Sequence, residues 1–341
     1  EVASRHLPIQ RQQQSKFIKK APQFKMENVI NHGIPHVGEL IFESIDTPEL
    51  IQCLSVSKTW KVLAENVLIK RWKGKMFKAC KSGETKVVQL LLERCNSEES
   101  GLNFDITFDG KRGGTIFMMA CYIGHKDVVK LLLEHSNRIE PNARCNNGLT
   151  AFIIACARGD EDVVKLLLDH SDPKIELNAR DDCNFTAFMA ACHNGHKDVV
   201  QLLLDHSDRI ELNAARPSDR MTAFIWACDK GHKDVVKLLL DHSDRIDLNA
   251  RNRCGYTPFM WACKNGHKDV VRLLLQHSNK IELNAQNRFG GTALMYACMN
   301  GHKEVVQLLL NHSSDKPIEL NAKCNDGMTP LMYACMNGHK K

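Results

Sequence analysis

The chain has 341 residues, 43% of them hydrophobic, 25% charged and only 6% aromatic, with a formal net charge of +6. Residues 1–74 hold +4 of that charge and the other 267 hold +2, so no basic stripe suited to nucleic acid runs along the chain. No run approaches the ~18 apolar residues of a membrane span, and EVASRHLPIQ lacks the apolar core of a secretory signal. The expected protein is soluble and cytoplasmic or nuclear.

In chain order, residues 1–25 read as a basic, disordered leader. The stretch from 5 to 25 is free of acid but Gln-rich and Ser-poor, which argues against a transit peptide. Met26 is the expected natural start. Residues 26–74 form a separate helical segment. Asp46-Thr47-Pro48-Glu49 is a helix-start signal: Asp46 or Thr47 caps, Pro sits early, and acid fills the first turn. Leu50, Ile51, Leu54 and Val56 follow, then Trp60, Leu63, Val67 and Leu68, which predicts three short helices.

From residue 75 the chain repeats itself. GHKDVVKLLLDHSD at 231–244 has near-copies beginning at 124, 159, 195, 266 and 301. Aligned on Thr115, Thr150, Thr186, Thr222, Thr257, Thr292 and Thr329, the copies are spaced by 35 to 37 residues, a solenoid period. Each copy predicts a hairpin containing Asn and Gly, a short helix from Thr, a Gly turn and a second helix. Val235, Val236, Leu238, Leu239 and Leu240 span an arc too wide for one supporting surface. Identical neighbours must therefore cover that helix from both sides. The array over 75–341 has a degenerate first copy, six full copies and a cut last one ending at NGHKK, which reads as a truncated product.

Eight of the fourteen cysteines (Cys80, Cys121, Cys156, Cys192, Cys228, Cys263, Cys298 and Cys335) share one phase of the repeat. Helices stacked ~8–10 Å apart would hold them beyond the ~7 Å that a disulfide allows, so they read as packing residues in a reducing compartment. The recurring histidines offer one imidazole per layer, too few to converge on a metal. No nucleophile stands beside a base and no phosphate-cradling Gly loop appears. The expected protein is not an enzyme and uses no cofactor and no metal.

These residues carry two resemblances. TPFMWACKNGHKDVVRLLLQHSNKIELNA, with its Thr-Pro start, Gly-His turn and Val-Val-x-Leu-Leu-Leu helix, resembles an ankyrin repeat. It departs in placing Met118, Ile153, Met189, Ile225, Met260 and Met295 where the family has His after Thr-Pro-Leu. His-Ser-Asp-Arg-Ile-Glu also replaces the Gly that usually ends the second helix, implying a longer loop. Residues 34–72, IPHVGELIFESIDTPELIQCLSVSKTWKVLAENVLIKRW, resemble an F-box, with departures at Ile34, at Ser57 and in a slightly shorter opening spacing. The two resemblances imply an all-α solenoid: a three-helix F-box-like segment followed by stacked ankyrin repeats with short β-hairpin loops.

The F-box resemblance implies docking to a Skp-type adaptor of a cullin ligase complex through Pro35, Leu40, Ile41, Pro48, Leu50, Ile51 and Leu54. Trp60 and Val56 read instead as internal anchors. Only Gly74 interrupts the join to the array, so stiff coupling is expected. Two places vary between copies and, by the ankyrin resemblance, line the concave face. One is the pair before each turn Gly, with Tyr122, Ile123, Arg158, His193, Asn194, Asp229, Lys230, Lys264 and Met299. The other is the hairpin tip, with Arg216, Arg253 and Arg288. The arginines read either as a site for an acidic partner or as ordinary solvated charge. Trp226, Trp261, Tyr296 and Tyr333 share a phase that is apolar in other copies and are expected to pack between repeats. The expected protein is a ligase substrate receptor; the alternative is a non-ligase scaffold or inhibitor whose helical head only caps the array.

Overall fold

A computed structural model describes residues 71–94, 113–135, 139–170, 175–312 and 317–338. The chain divides into two compact bodies, 1–82 with 86–102, and 83–85 with 103–341. The first contributes a helical stretch at 71–82 (α1) and most of Thr85–Arg94 (α2). Met76, Ala79, Cys80, Val88 and Leu92 are buried at spacings of three and four, one face of each helix. The three short helices expected ahead of α1 lie outside the described residues, as do Pro35, Leu40, Ile41, Pro48, Leu50, Ile51 and Leu54.

The second body is a succession of helix pairs. They are Ile116–Ile123 (α3) with Lys126–Glu134 (α4), Ala151–Arg158 (α5) with Glu161–Asp169 (α6), and Ala187–Asn194 (α7) with Lys197–Asp205 (α8). Ala223–Lys230 (α9) with Lys233–Asp241 (α10), Pro258–Lys264 (α11) with Lys268–Gln276 (α12), and Ala293–Met299 (α13) with Lys303–Leu310 (α14) follow. Pro330–Met336 (α15) is the last described helix. Each first helix begins at the Thr of the alignment. Thr222, in extended backbone, accepts a hydrogen bond on Oγ1 from the Ile225 N–H at 3.3 Å, and the other six Thr residues cap alike. Met and Ile at the family's His position thus keep the backbone bond to Thr and bury their own side chains; Met189 and Ile225 are wholly buried.

The first helix stops after two turns because the following Gly turns left-handed. Gly231 has φ +75°, and a Cβ there would lie 2.5 Å from His267 Nδ1, so the position excludes side chains twice over. His267 comes that close because its Nε2 lies 2.7 Å from the Asp229 carbonyl of the preceding repeat. His196, His232 and His302 make the same inter-repeat bond at 2.8 to 2.9 Å. The turn histidines are therefore rivets between repeats. Among the described residues no group of three or more metal-ligating side chains gathers.

First helices pack on first helices and second on second along the array. On α10, Val235, Val236, Leu239 and Leu240 are at most 2% exposed, as two-sided cover requires. The missing helix-ending Gly is replaced by the helix-end histidine: His242 Nδ1 reaches the Leu238 carbonyl at 3.0 Å, and His135, His206 and His277 do the same. These bonds satisfy a carbonyl that the helix end would leave orphaned. Beyond them Asn213 ties Arg245 and Asp247 of the next repeat at 2.8 Å each, and Asn178, Asn249 and Asn284 repeat that clasp.

Two expectations need correction. The hairpins are tight turns, not strand pairs: the described tips carry no strand, and pairing goes no further than isolated bridge residues, such as the antiparallel bridge between Ala215 and Thr222. Each tip closes with a bond such as Asn252 N–H to the Tyr256 carbonyl at 3.0 Å, and the chain leaves for the helix before a ladder can extend. Among the phase-locked cysteines, Cys335 is exposed, because α15 packs on α13 with no described helix over its other side. The other seven are buried and free. Burial pushes the Cys80 thiol up to about 12 and raises Cys121, Cys156, Cys192, Cys228 and Cys263 well above the ordinary 9.0. They are held as neutral packing groups, not nucleophiles.

Candidate protein-binding surface

The two variable places of the repeat meet along one edge, where hairpin tips face the last turns of the first helices. The tips are tied to one another: Arg253 N–H donates to the Asp219 carbonyl at 2.6 Å, Arg288 N–H to Cys254 at 3.0 Å and Asn325 N–H to Phe289 at 3.0 Å. Within a tip, the Asn252 side chain accepts from the Cys254 and Tyr256 N–H groups at 3.0 and 2.9 Å, which aims the Tyr256 ring. Asn287 does likewise for Phe289 and Gly291, and donates to the Tyr296 hydroxyl at 2.7 Å. Loops tied this closely hold their side chains in place before any partner arrives.

The middle of this edge is aromatic. Trp226, half-buried on α9, lies 5.6 Å from Phe185 and 5.0 Å from His193 between ring centroids. Trp261 on α11 lies 5.2 Å from Tyr256, which in turn lies 5.0 Å from Tyr296. Burial, with the Tyr296 hydroxyl beside it, pushes the Tyr256 phenol above its ordinary value. A cavity of about 420 Å³ opens here, walled by Met221, Trp226, Tyr256, Trp261 and Phe289. The tryptophans do pack across repeats, against Met221, Ile225 and Ala250, but they also keep one side toward this cavity. A larger cavity of about 650 Å³ lies among the Asn clasps at Asn249 and Asn284. Its Asn249 and Asn284 side chains are spent on inter-repeat bonds, Glu282 is held by Arg251 at 2.7 Å, and Ile281, Leu283, Ala285 and Pro317 complete its wall.

Of the residues marked from sequence, His193, Arg216, Asp229, Lys230 and Lys264 gather around these rings. Lys264 Nζ stands 4.5 Å from the Trp261 ring and 5.2 Å from Tyr256. The Arg216 guanidinium lies 4.9 Å from Phe185 and pairs with Asp219 at 3.1 Å. Lys230 Nζ lies 5.5 Å from Trp226 and 3.1 Å from Asp229. Arg253 and Arg288 are exposed on neighbouring tips; Arg253 reaches the Pro217 carbonyl at 3.0 Å. Asp229 faces inward, with its side chain 10% exposed and its Oδ1 accepting from Asn265 at 2.9 Å. Asn194 is spent on the Ala157 carbonyl at 2.8 Å. Tyr122 and Ile123 are exposed two repeats earlier, where the Arg158 guanidinium stacks on Tyr122 at 4.7 Å. Met299 is half-buried at the end of α13, and its carbonyl accepts from Asn337 at 2.7 Å. Sequence reasoning missed Phe185, Tyr256 and Phe289; their aromatic character was the available signal, since other copies carry Gly, Leu or Met at the place of the first two and Arg, Asn, Asp or Cys at that of the third.

A family model for ankyrin repeats (3 copies) matches residues 76–181, 173–252, 212–287, 245–319 and 277–341. The chain belongs to the ankyrin-repeat family. The matches take in every helix pair of the second body and leave residues 26–74 aside. No curated protein matches the chain. Ankyrin repeats are protein-interaction modules and generally non-enzymatic scaffolds, and the edge described above is where the repeats of this array differ most from one another. Among the described residues no helix is long and apolar enough to cross a membrane.

Proposed function

We propose that the chain is the substrate-recognition subunit of a cullin-type ubiquitin ligase. The F-box-like segment docks a Skp-type adaptor through Pro35, Leu40, Ile41, Pro48, Leu50, Ile51 and Leu54, and the ankyrin array holds a protein substrate. The observation that carries this reading is the union in one chain of IPHVGELIFESIDTPELIQCLSVSKTW with the ankyrin array that follows, only Gly74 interrupting the join. An adaptor-binding head on a protein-binding array is what a ligase needs to hold a substrate near a conjugating enzyme. The domain division follows: leader 1–25, adaptor-binding segment 26–74, substrate-binding array 75–341.

Purified full-length chain mixed with a Skp-type adaptor should form a stable complex on size exclusion, and Leu50→Ala with Leu54→Ala should abolish it while the array keeps its helical circular dichroism. A wild-type chain that leaves the adaptor free would end this reading. The competing role, a head that only seals the first repeat, expects a chain beginning at Met76 to lose thermal stability. A fully stable, soluble product would remove it.

A further inference from the structure

The rings around Trp226 and Trp261 are more than stacking requires. At the phase of these tryptophans the last two repeats carry Tyr296 and Tyr333 but the first three carry Met119, Ile154 and Ala190, and where Phe185 and Tyr256 precede the helix the others carry Gly114, Leu149, Met221, Gly291 and Met328. Those smaller residues serve repeats of the same build, so the stack alone does not call for aromatic rings. They occur together, in consecutive repeats, around one cavity.

The cations define what the cavity accepts. Lys264 takes the faces of Trp261 and Tyr256, while Arg216 and Lys230 take those of Phe185 and Trp226. A cationic guest would find those faces occupied by like charge. Asp219 and Asp229 neutralise Arg216 and Lys230, whereas Lys264, Arg253 and Arg288 have no carboxylate partner among the described residues. Asp219 and Asp229 line the cavity together with Lys264, and Arg253 and Arg288 stand exposed on adjoining tips, so the charge left unpaired about the apolar floor is positive. Three buried donors without an acceptor, Trp226 Nε1, Trp261 Nε1 and Arg216 Nε, also gather here.

We propose that this cavity binds a protein segment in which acidic residues flank one bulky apolar side chain, the apolar group seated against Trp226, Trp261 and Phe289 and the carboxylates at Lys264, Arg253 and Arg288. The proposal rests on the array being the partner-holding part of the chain and names the class of partner. It does not depend on the adaptor: loss of adaptor binding leaves it standing, and its own failure leaves the adaptor complex untouched.

The test is fluorescence anisotropy of the full-length chain with labelled Gly-Ser peptides carrying Glu-Phe-Glu, Glu-Ala-Glu or Lys-Phe-Lys, and with an oligo-uridine RNA. Glu-Phe-Glu should bind saturably and weaken as salt rises. Glu-Ala-Glu should bind about tenfold more weakly, the loss expected for a buried aromatic anchor. Trp261→Ala should weaken Glu-Phe-Glu similarly. Lys264→Glu, a change at the rim that leaves the stack intact, should do so too and should raise the affinity for Lys-Phe-Lys. Lys-Phe-Lys or the RNA binding the wild type as tightly as Glu-Phe-Glu would overturn the proposal. So would an absence of Glu-Phe-Glu binding, or binding unchanged by Lys264→Glu.

Discussion

The second helices and the hairpin edge of the same repeats answer to different demands. Along α4, α6, α8, α10 and α12 the pattern Val-Val-x-Leu-Leu-Leu returns in every repeat, and its second Val and second Leu are buried almost without trace wherever a neighbour lies on both sides. Along the edge, Phe185, Trp226, Tyr256, Trp261 and Phe289 stand where other copies hold smaller or polar groups, and they remain partly open. Identical residues signal an identical environment, the neighbouring repeat. Residues that change from copy to copy keep a side that no other repeat covers, and it is on that side that the proposed partner would sit.

The contrast can be broken from the helix side. Leu239→Ala, in the middle of the stack, should cost about 2–5 kcal/mol and broaden the thermal transition followed by circular dichroism, whereas Trp261→Ala, with one side already open, should cost less. Equal costs would erase the distinction between frame and reader. The buried thiols sharpen it through pH. Their folded values lie well above the ordinary 9.0, so the stability they contribute is intact below pH 9 and is lost progressively as pH rises from there. Each thiol can contribute up to about 1.4 kcal/mol per pH unit in that window. Cys156→Ala should make the fall in melting temperature above pH 9 shallower.

Smaller effects belong to the rivets. Gly231→Ala forces a side chain into left-handed backbone and onto His267, and should cost at least about 1–2 kcal/mol by chemical denaturation. His267→Ala removes one inter-repeat bond, worth about 0.5–1.5 kcal/mol, and in that background Gly231→Ala should cost less, because the ring it collides with is gone. Smallest is Arg251→Ala: its pair with Glu282 is exposed on both sides and should be worth less than about 1 kcal/mol.

The period, the helix pairs, the capping Thr, the Gly turns and the packing role of the cysteines were all legible in the sequence, because each is a local or once-per-repeat requirement that copying makes visible. The ankyrin resemblance also supplied the family, and the F-box-like segment remains a reading of Pro48, Leu50 and Leu54 in sequence. The roles of the recurring histidines were not legible: His267 and His242 look alike on paper, yet one bonds the repeat before it and the other ends its own helix. Nor was the gathering of Phe185, Trp226, Tyr256, Trp261 and Lys264, which come from three successive repeats up to 79 positions apart. A periodic sequence determines what every repeat must do to hold its neighbour. Only stacking decides which of the odd residues become neighbours, because that contact runs across the array at right angles to the chain, where no spacing along the sequence records it.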